Sequence, residues 1–136
     1  MYYEGKVKIT QLDERGKEHR VTSSYIIDNC EACTEACEKL NNAVAVFGED
    51  IVCVKTCAIT EFINTRNDGD YIYAATIEVL ELDEKSGKER IRRYKSACWA
   101  NTLEAATERF KAYLSTFITQ TTLVSVKLTK YVDLIS

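Results

Sequence analysis

Apolar and polar residues alternate at the start of the chain. Tyr3, Val7 and Ile9 fall on one side of a period of two, and Glu4, Lys6, Lys8 and Thr10 fall on the other. That period is the mark of a strand with one buried face. The same spacing returns at Tyr73, Ile77 and Val79. Each stretch runs into a polar tip, Leu12-Asp13-Glu14-Arg15-Gly16-Lys17-Glu18 in the first case and Leu82-Asp83-Glu84-Lys85-Ser86-Gly87-Lys88-Glu89 in the second. Gly16 and Gly87 supply the positive φ that a short strand reversal needs. A second strand follows each tip, about His19 to Ile27 and Arg90 to Trp99.

The period then lengthens to that of a helix. Cys33, Ala36, Cys37, Leu40, Ala43, Val44 and Phe47 recur at steps of three and four, as do Leu103, Ala106, Phe110, Tyr113, Leu114 and Phe117. Such stripes predict two helices, each with one core-facing side. Gly48 is placed to end the first, and Asn101 with Glu104 reads as a capping box at the start of the second. A closing strand follows each helix, Ile51 to Ile63 and Leu123 to Ile135, with Val54-Lys55 matching Val126-Lys127 and Glu61-Phe62-Ile63 matching Asp133-Leu134-Ile135.

The matches keep their order along the whole chain, which reads as one ββαβ unit written twice. The expected fold is α+β: tandem ββαβ repeats over residues 1–66 and 71–136, pseudo-twofold, with antiparallel sheets and one helix per repeat in one compact domain. The second copy also carries Ile72, Ala74, Leu80 and Leu82 on the strand face opposite Tyr73. An apolar sheet face calls for cover, so a homo-oligomer is expected.

Composition sharpens this picture only a little. The chain of 136 residues has no proline, where average usage would give about seven. That fits a chain made almost wholly of regular elements. The net charge of −3 argues against tight nonspecific binding to nucleic acid. Charge is uneven: residues 1–68 hold 8 basic and 12 acidic side chains, whereas residues 69–136 hold 10 and 9. No apolar run is long enough for a membrane span, and Met1 to Lys6 holds no targeting core, so a cytoplasmic protein of a bacterial or phage-infected cell is expected. Its six cysteines are then expected to be reduced thiols.

Three stretches carry a family likeness. They are the tip Leu82 to Glu89 after Asp68-Gly69-Asp70, Val21 to Asp28 running into Thr34-Glu35-Ala36, and Ile59 to Ile63. Together they resemble domain-of-unknown-function family 4494, small proteins of Bacteroides-type bacteria and their phages and mobile elements. The resemblance extends over nearly the whole chain. It implies a phage or mobile-element origin and brings no catalytic motif.

Candidate chemistry is sparse. Cys30, Cys33 and Cys37 with Cys53 and Cys57 offer thiols for zinc, but the spacing lacks paired knuckles. Cys33 and Cys37 also lie on the stripe read as core, so buried cysteines are favoured over a metal and no cofactor is expected. His19, the single histidine, follows a hairpin tip, and the carboxylates of Asp13, Glu14, Asp83 and Glu84 sit on tips as turn formers. No enzyme is expected.

The most suggestive stretch is the strand bearing Arg90, Arg92, Arg93, Tyr94, Lys95 and Trp99. Guanidinium groups grip phosphate in a fork, and rings stack on bases. Alternation puts Arg90, Arg92 and Tyr94 on one side and Arg93, Lys95 and Trp99 on the other. The lead expectation is a non-enzymatic phage or mobile-element accessory protein that binds a partner protein or a small nucleotide-like anion, as in counter-defence. The alternatives are a nucleic-acid accessory factor of phage replication and, behind it, a zinc- or thiol-dependent enzyme.

Overall fold

A computed structural model describes residues 2–44 and 50–136. The elements are β1 (Tyr3–Leu12), β2 (Glu18–Ile27), α1 (Cys33–Val44), β3 (Asp50–Thr56), β4 (Ile59–Phe62), β5 (Tyr71–Leu82), β6 (Glu89–Ala100), α2 (Leu103–Leu114), β7 (Thr121–Leu128) and β8 (Tyr131–Ile135). A 3-10 turn, Arg66–Asp68, precedes β5. Among the described residues the fold is mixed α+β, with two four-stranded sheets and two helices. Among the described residues no helix is long and apolar enough to cross a membrane.

Packing divides the chain into two compact units. One comprises Met1–Cys57 with Lys130–Ser136, and the other comprises Ala58–Thr129. The first unit's sheet has the order β3-β1-β2-β8, and the second's has the order β4-β6-β5-β7.

Both central hairpins form where alternation and tip chemistry predict them. Asp13 accepts from the amides of Arg15 and Lys17 at 2.9 and 2.8 Å, and Gly16 takes φ 78°. Asp83 accepts from the Lys85 amide at 3.0 Å, and Gly87 takes φ 66°. Those carboxylates therefore act as turn formers. His19 sits across from Asp13, with Nε2 2.9 Å from its carboxylate.

In the first unit Ala36 and Leu40 of α1 pack with Tyr3, Val7, Ile27 and Cys30. In the second, Ala106 and Phe110 of α2 pack with Tyr73, Ala75, Ile77, Val79, Cys98 and Ala100. Burial of these side chains against one sheet face is the main stabilising term in each unit.

Four expectations are corrected. The closing strands are not single: each breaks, at Cys57-Ala58 and at Thr129-Lys130, into a longer and a shorter piece. Nor are the sheets purely antiparallel, because β8 pairs with β2 and β4 pairs with β6 in parallel. A parallel neighbour needs a chain that arrives from a distant crossover, which local periodicity does not encode. Cys33 and Cys37 are exposed, whereas Ala36 and Leu40 of the same stripe are buried; the Cys33 thiol reaches only the Val54 carbonyl of β3, at 3.4 Å. Finally, α2 is capped by Thr102, whose hydroxyl accepts from the Ala105 amide at 3.1 Å, while Asn101 accepts from the Asp70 amide instead. Gly48 and Phe47 lie outside the described residues.

Candidate functional site

Strand β6 changes character along its length. Glu89 to Arg93 are exposed, Tyr94 is half-buried, and Ser96 to Ala100 are buried. Its α2-facing side presents Arg90, Arg92, Tyr94, Ser96 and Cys98 in turn, since Cys98 packs in the α2 core and Tyr94 lies against it. Past the end of the buried part a cavity of about 590 Å3 opens, lined by Thr60, Glu61, Arg92, Arg93, Tyr94, Tyr113 and Phe117. Three elements build it. Strand β4 brings Thr60 and Glu61 alongside β6, with Glu61 opposite Ser96. Helix α2 contributes Tyr113 on its last turn, and the segment beyond it contributes Phe117.

Polar contacts fix the inner end. The Tyr113 hydroxyl lies 3.0 Å from both carboxylate oxygens of Glu61. The buried Ser96 hydroxyl donates to Glu61 Oε1 at 3.2 Å. Burial pushes the Tyr113 phenol up to about 12, and its bond to Glu61 adds to the shift. Tyr94 is also raised, by burial first and then by the Glu61 carboxylate, against the pull of Arg92. The Tyr113 and Phe117 rings meet edge to face at 5.0 Å, and the Arg92 guanidinium lies 5.6 Å from the Tyr94 ring centre.

The rim is cationic but paired. Arg92 reaches Glu81 at 3.3 Å, and Arg93 reaches Glu78 at 2.6 Å. Their side chains are 59% and 70% exposed, so these are surface ion pairs of small net worth, about 0–1 kcal/mol. An incoming phosphate competes with them at little cost.

Of the six residues singled out in the sequence, the cavity collects Arg92, Arg93 and Tyr94. Arg90 lines a separate depression with Glu81, Asp83 and Glu84, an acidic setting. Lys95 is exposed outside the cavity lining. Trp99 is only 3% exposed and is no stacking platform. Its backbone is clamped by Asn64 at 2.7 and 2.8 Å, and Arg66 lies 5.7 Å from its ring centre.

Sequence reading missed Thr60, Glu61, Tyr113 and Phe117 as site residues. Tyr113 and Phe117 were assigned to the helix stripe, four residues apart, and nothing local announced that β4 lies beside β6. Among the described residues no group of three or more His, Cys, Asp and Glu side chains is placed to hold a metal ion.

No curated protein and no solved structure matches the chain. A family model described as domain of unknown function (DUF4494) matches residues 1–136, where the hairpin and strand motifs indicated nearly the whole chain. The chain belongs to the DUF4494 family.

Proposed function

We propose that this chain is a non-enzymatic binding protein whose second unit takes a small phosphate-bearing ligand of nucleotide type. The observation that carries the reading is the cavity itself. Its volume of about 590 Å3 suits a small molecule, and it combines two guanidinium residues with three aromatic rings and a carboxylate. Guanidinium forks hold phosphate, and rings hold a base by stacking.

The proposed setting is the one the sequence resemblance suggests: an accessory protein of a phage or mobile element, acting in the cytoplasm, with ligand capture in counter-defence as one use. The two units are read as copies of one another. Supporting this, β1, β2, β3 and β8 occupy the places in their sheet that β5, β6, β7 and β4 occupy in theirs. A register shift also falls between Lys6 and Val7 in β1 and between Thr76 and Ile77 in β5. Exposed Leu82 and Ile91 on the second hairpin support self-association.

Native mass spectrometry of gently purified protein tests the reading. Extra mass of nucleotide size, lost in the Arg92→Ala/Arg93→Ala/Tyr94→Ala variant, is the expected result. An adduct that persists in that folded variant would rule out this cavity. Single-stranded nucleic acid bound with a steep salt dependence would favour the replication-factor reading instead.

A further inference from the structure

We infer that the inner end of the cavity recognises an amino group, so that the ligand is an adenine or cytosine nucleotide rather than its keto counterpart. The inference rests on the phosphate-ligand reading above and adds the identity of the ligand's other end.

Tyr113 has one hydroxyl proton, and both oxygens within reach of it belong to Glu61, each at 3.0 Å. With that proton committed, the phenol oxygen offers the cavity only lone pairs. Burial and the Glu61 bond keep the phenol protonated at neutral pH. Glu61 Oε1 accepts from Tyr113 and Ser96, while among the described residues Oε2 accepts from Tyr113 alone. A carboxylate has about four lone-pair positions, so Oε2 keeps capacity for another donor.

The inner end therefore holds two neighbouring acceptors, Tyr113 Oη and Glu61 Oε2, 3.0 Å apart. Neither has a spare proton to give the ligand while Tyr113 donates to Glu61. An N–H donor meets such a pair without conflict, and an amino group can aim one N–H at Glu61 Oε2. A carbonyl at the same place sets lone pair against lone pair and finds no free donor there, which is costly in a partly dry site.

The layout along β6 agrees. Arg92, Tyr94 and Ser96 follow one another on one face, and Ser96 stands opposite Glu61. Cation, ring and acceptor thus lie in line, with about 13 Å of strand from Arg92 to Ser96. A nucleotide has the same order, from phosphate through sugar and base to the exocyclic amine. Hypoxanthine and uracil have nearly the same shapes as adenine and cytosine but present a carbonyl where those bases present an amine.

The test is calorimetric titration of the full chain with AMP, IMP, CMP and UMP. AMP is expected to bind about tenfold or more tightly than IMP, and CMP than UMP. Glu61→Gln places an amide N–H within reach of the ligand and narrows or reverses the ratio. Tyr113→Phe removes one acceptor and narrows it as well. Equal binding of the amino and keto partners, with both weakened by Arg92→Ala, would overturn the amino-group inference and leave the phosphate reading standing. A ratio unchanged in both folded variants would also overturn it. Failure of all four nucleotides to bind at about millimolar concentration would overturn both readings.

Discussion

Gly69 lies just ahead of β5, where a Cβ would sit on the Cα and N of Ala100 and 2.6 Å from its carbonyl carbon. Its backbone is extended, with φ 174°, so space rather than conformation demands glycine there. The obstructing atoms are backbone at the buried end of β6, opposite Tyr71, and cannot rotate away. Gly69→Ala must therefore part the start of β5 from the end of β6. Overpacking costs about 1–3 kcal/mol, and backbone obstruction belongs at the upper end. Stiffening of the unfolded chain returns about 0.4–1 kcal/mol. The expected net loss is about 2 kcal/mol, or roughly 6–10 °C in Tm for a chain of this size. Gly87 is the control, since its φ is 66° and nothing lies within 4 Å of a Cβ there. Gly87→Ala should cost about 1 kcal/mol, and Gly87→Asn should recover most of it, because asparagine tolerates the left-handed region. At position 69 asparagine should rescue nothing. Thermal unfolding followed by circular dichroism reads all four variants. A Tm for Gly69→Ala within about 2 °C of the parent would refute the close approach of the two backbones.

Three further outcomes are expected. Phe110→Ala, which empties the centre of the second unit's core, should lower stability by about 3–5 kcal/mol in urea titrations, and a loss under about 1 kcal/mol would contradict its full burial. Exposed Cys33 and Cys37 should react rapidly with a thiol reagent in the native protein, whereas buried Cys30 and Cys98 wait for denaturant. Burial raises both of those thiols, Cys98 to about 11, and the double variant Cys33→Ser/Cys37→Ser should lose two fast equivalents. Glu4 gives an acid-sensitive contact: burial pushes its carboxyl up, but the Tyr131 hydroxyl and Lys55, 3.2 Å away, outweigh this and hold it below 4.5. A depressed carboxylate stabilises the fold above its ordinary value and loses that contribution as pH falls through the lowered one. Glu4→Gln should therefore flatten the decline in urea midpoint below about pH 4.5, and an unchanged decline would assign it to other groups.

What the sequence revealed and what it hid follow from the range of the forces involved. Alternation at Tyr3 and Val7, and again at Tyr73, Ile77 and Val79, located buried strand faces, because burial acts on each residue where it stands. Asp13 with Gly16 and Asp83 with Gly87 located the hairpins, because a turn is closed by its own few residues. Helix stripes were drawn too wide: Ala36 and Leu40 reach the sheet, yet Cys33 and Cys37 share their period and stay exposed. How much of a stripe is covered depends on the partner surface, not on the stripe. The parallel strands β4 and β8 were hidden for the same reason, and Thr60 and Glu61 of the site were hidden with β4. Arg92, Arg93 and Tyr94 stood out as a dense local cluster. Glu61 and Tyr113 gained meaning only when β4 and α2 brought them to the same place.

The most direct test of the central claim, a phosphate held by Arg92 and Arg93, compares adenosine with AMP by titration calorimetry at fixed salt. The account predicts that AMP binds the parent protein about tenfold or more tightly than adenosine. It also predicts that Arg92→Ala/Arg93→Ala abolishes the difference while the fold persists. A difference that survives the double substitution, or no binding of AMP to the parent protein, would contradict it.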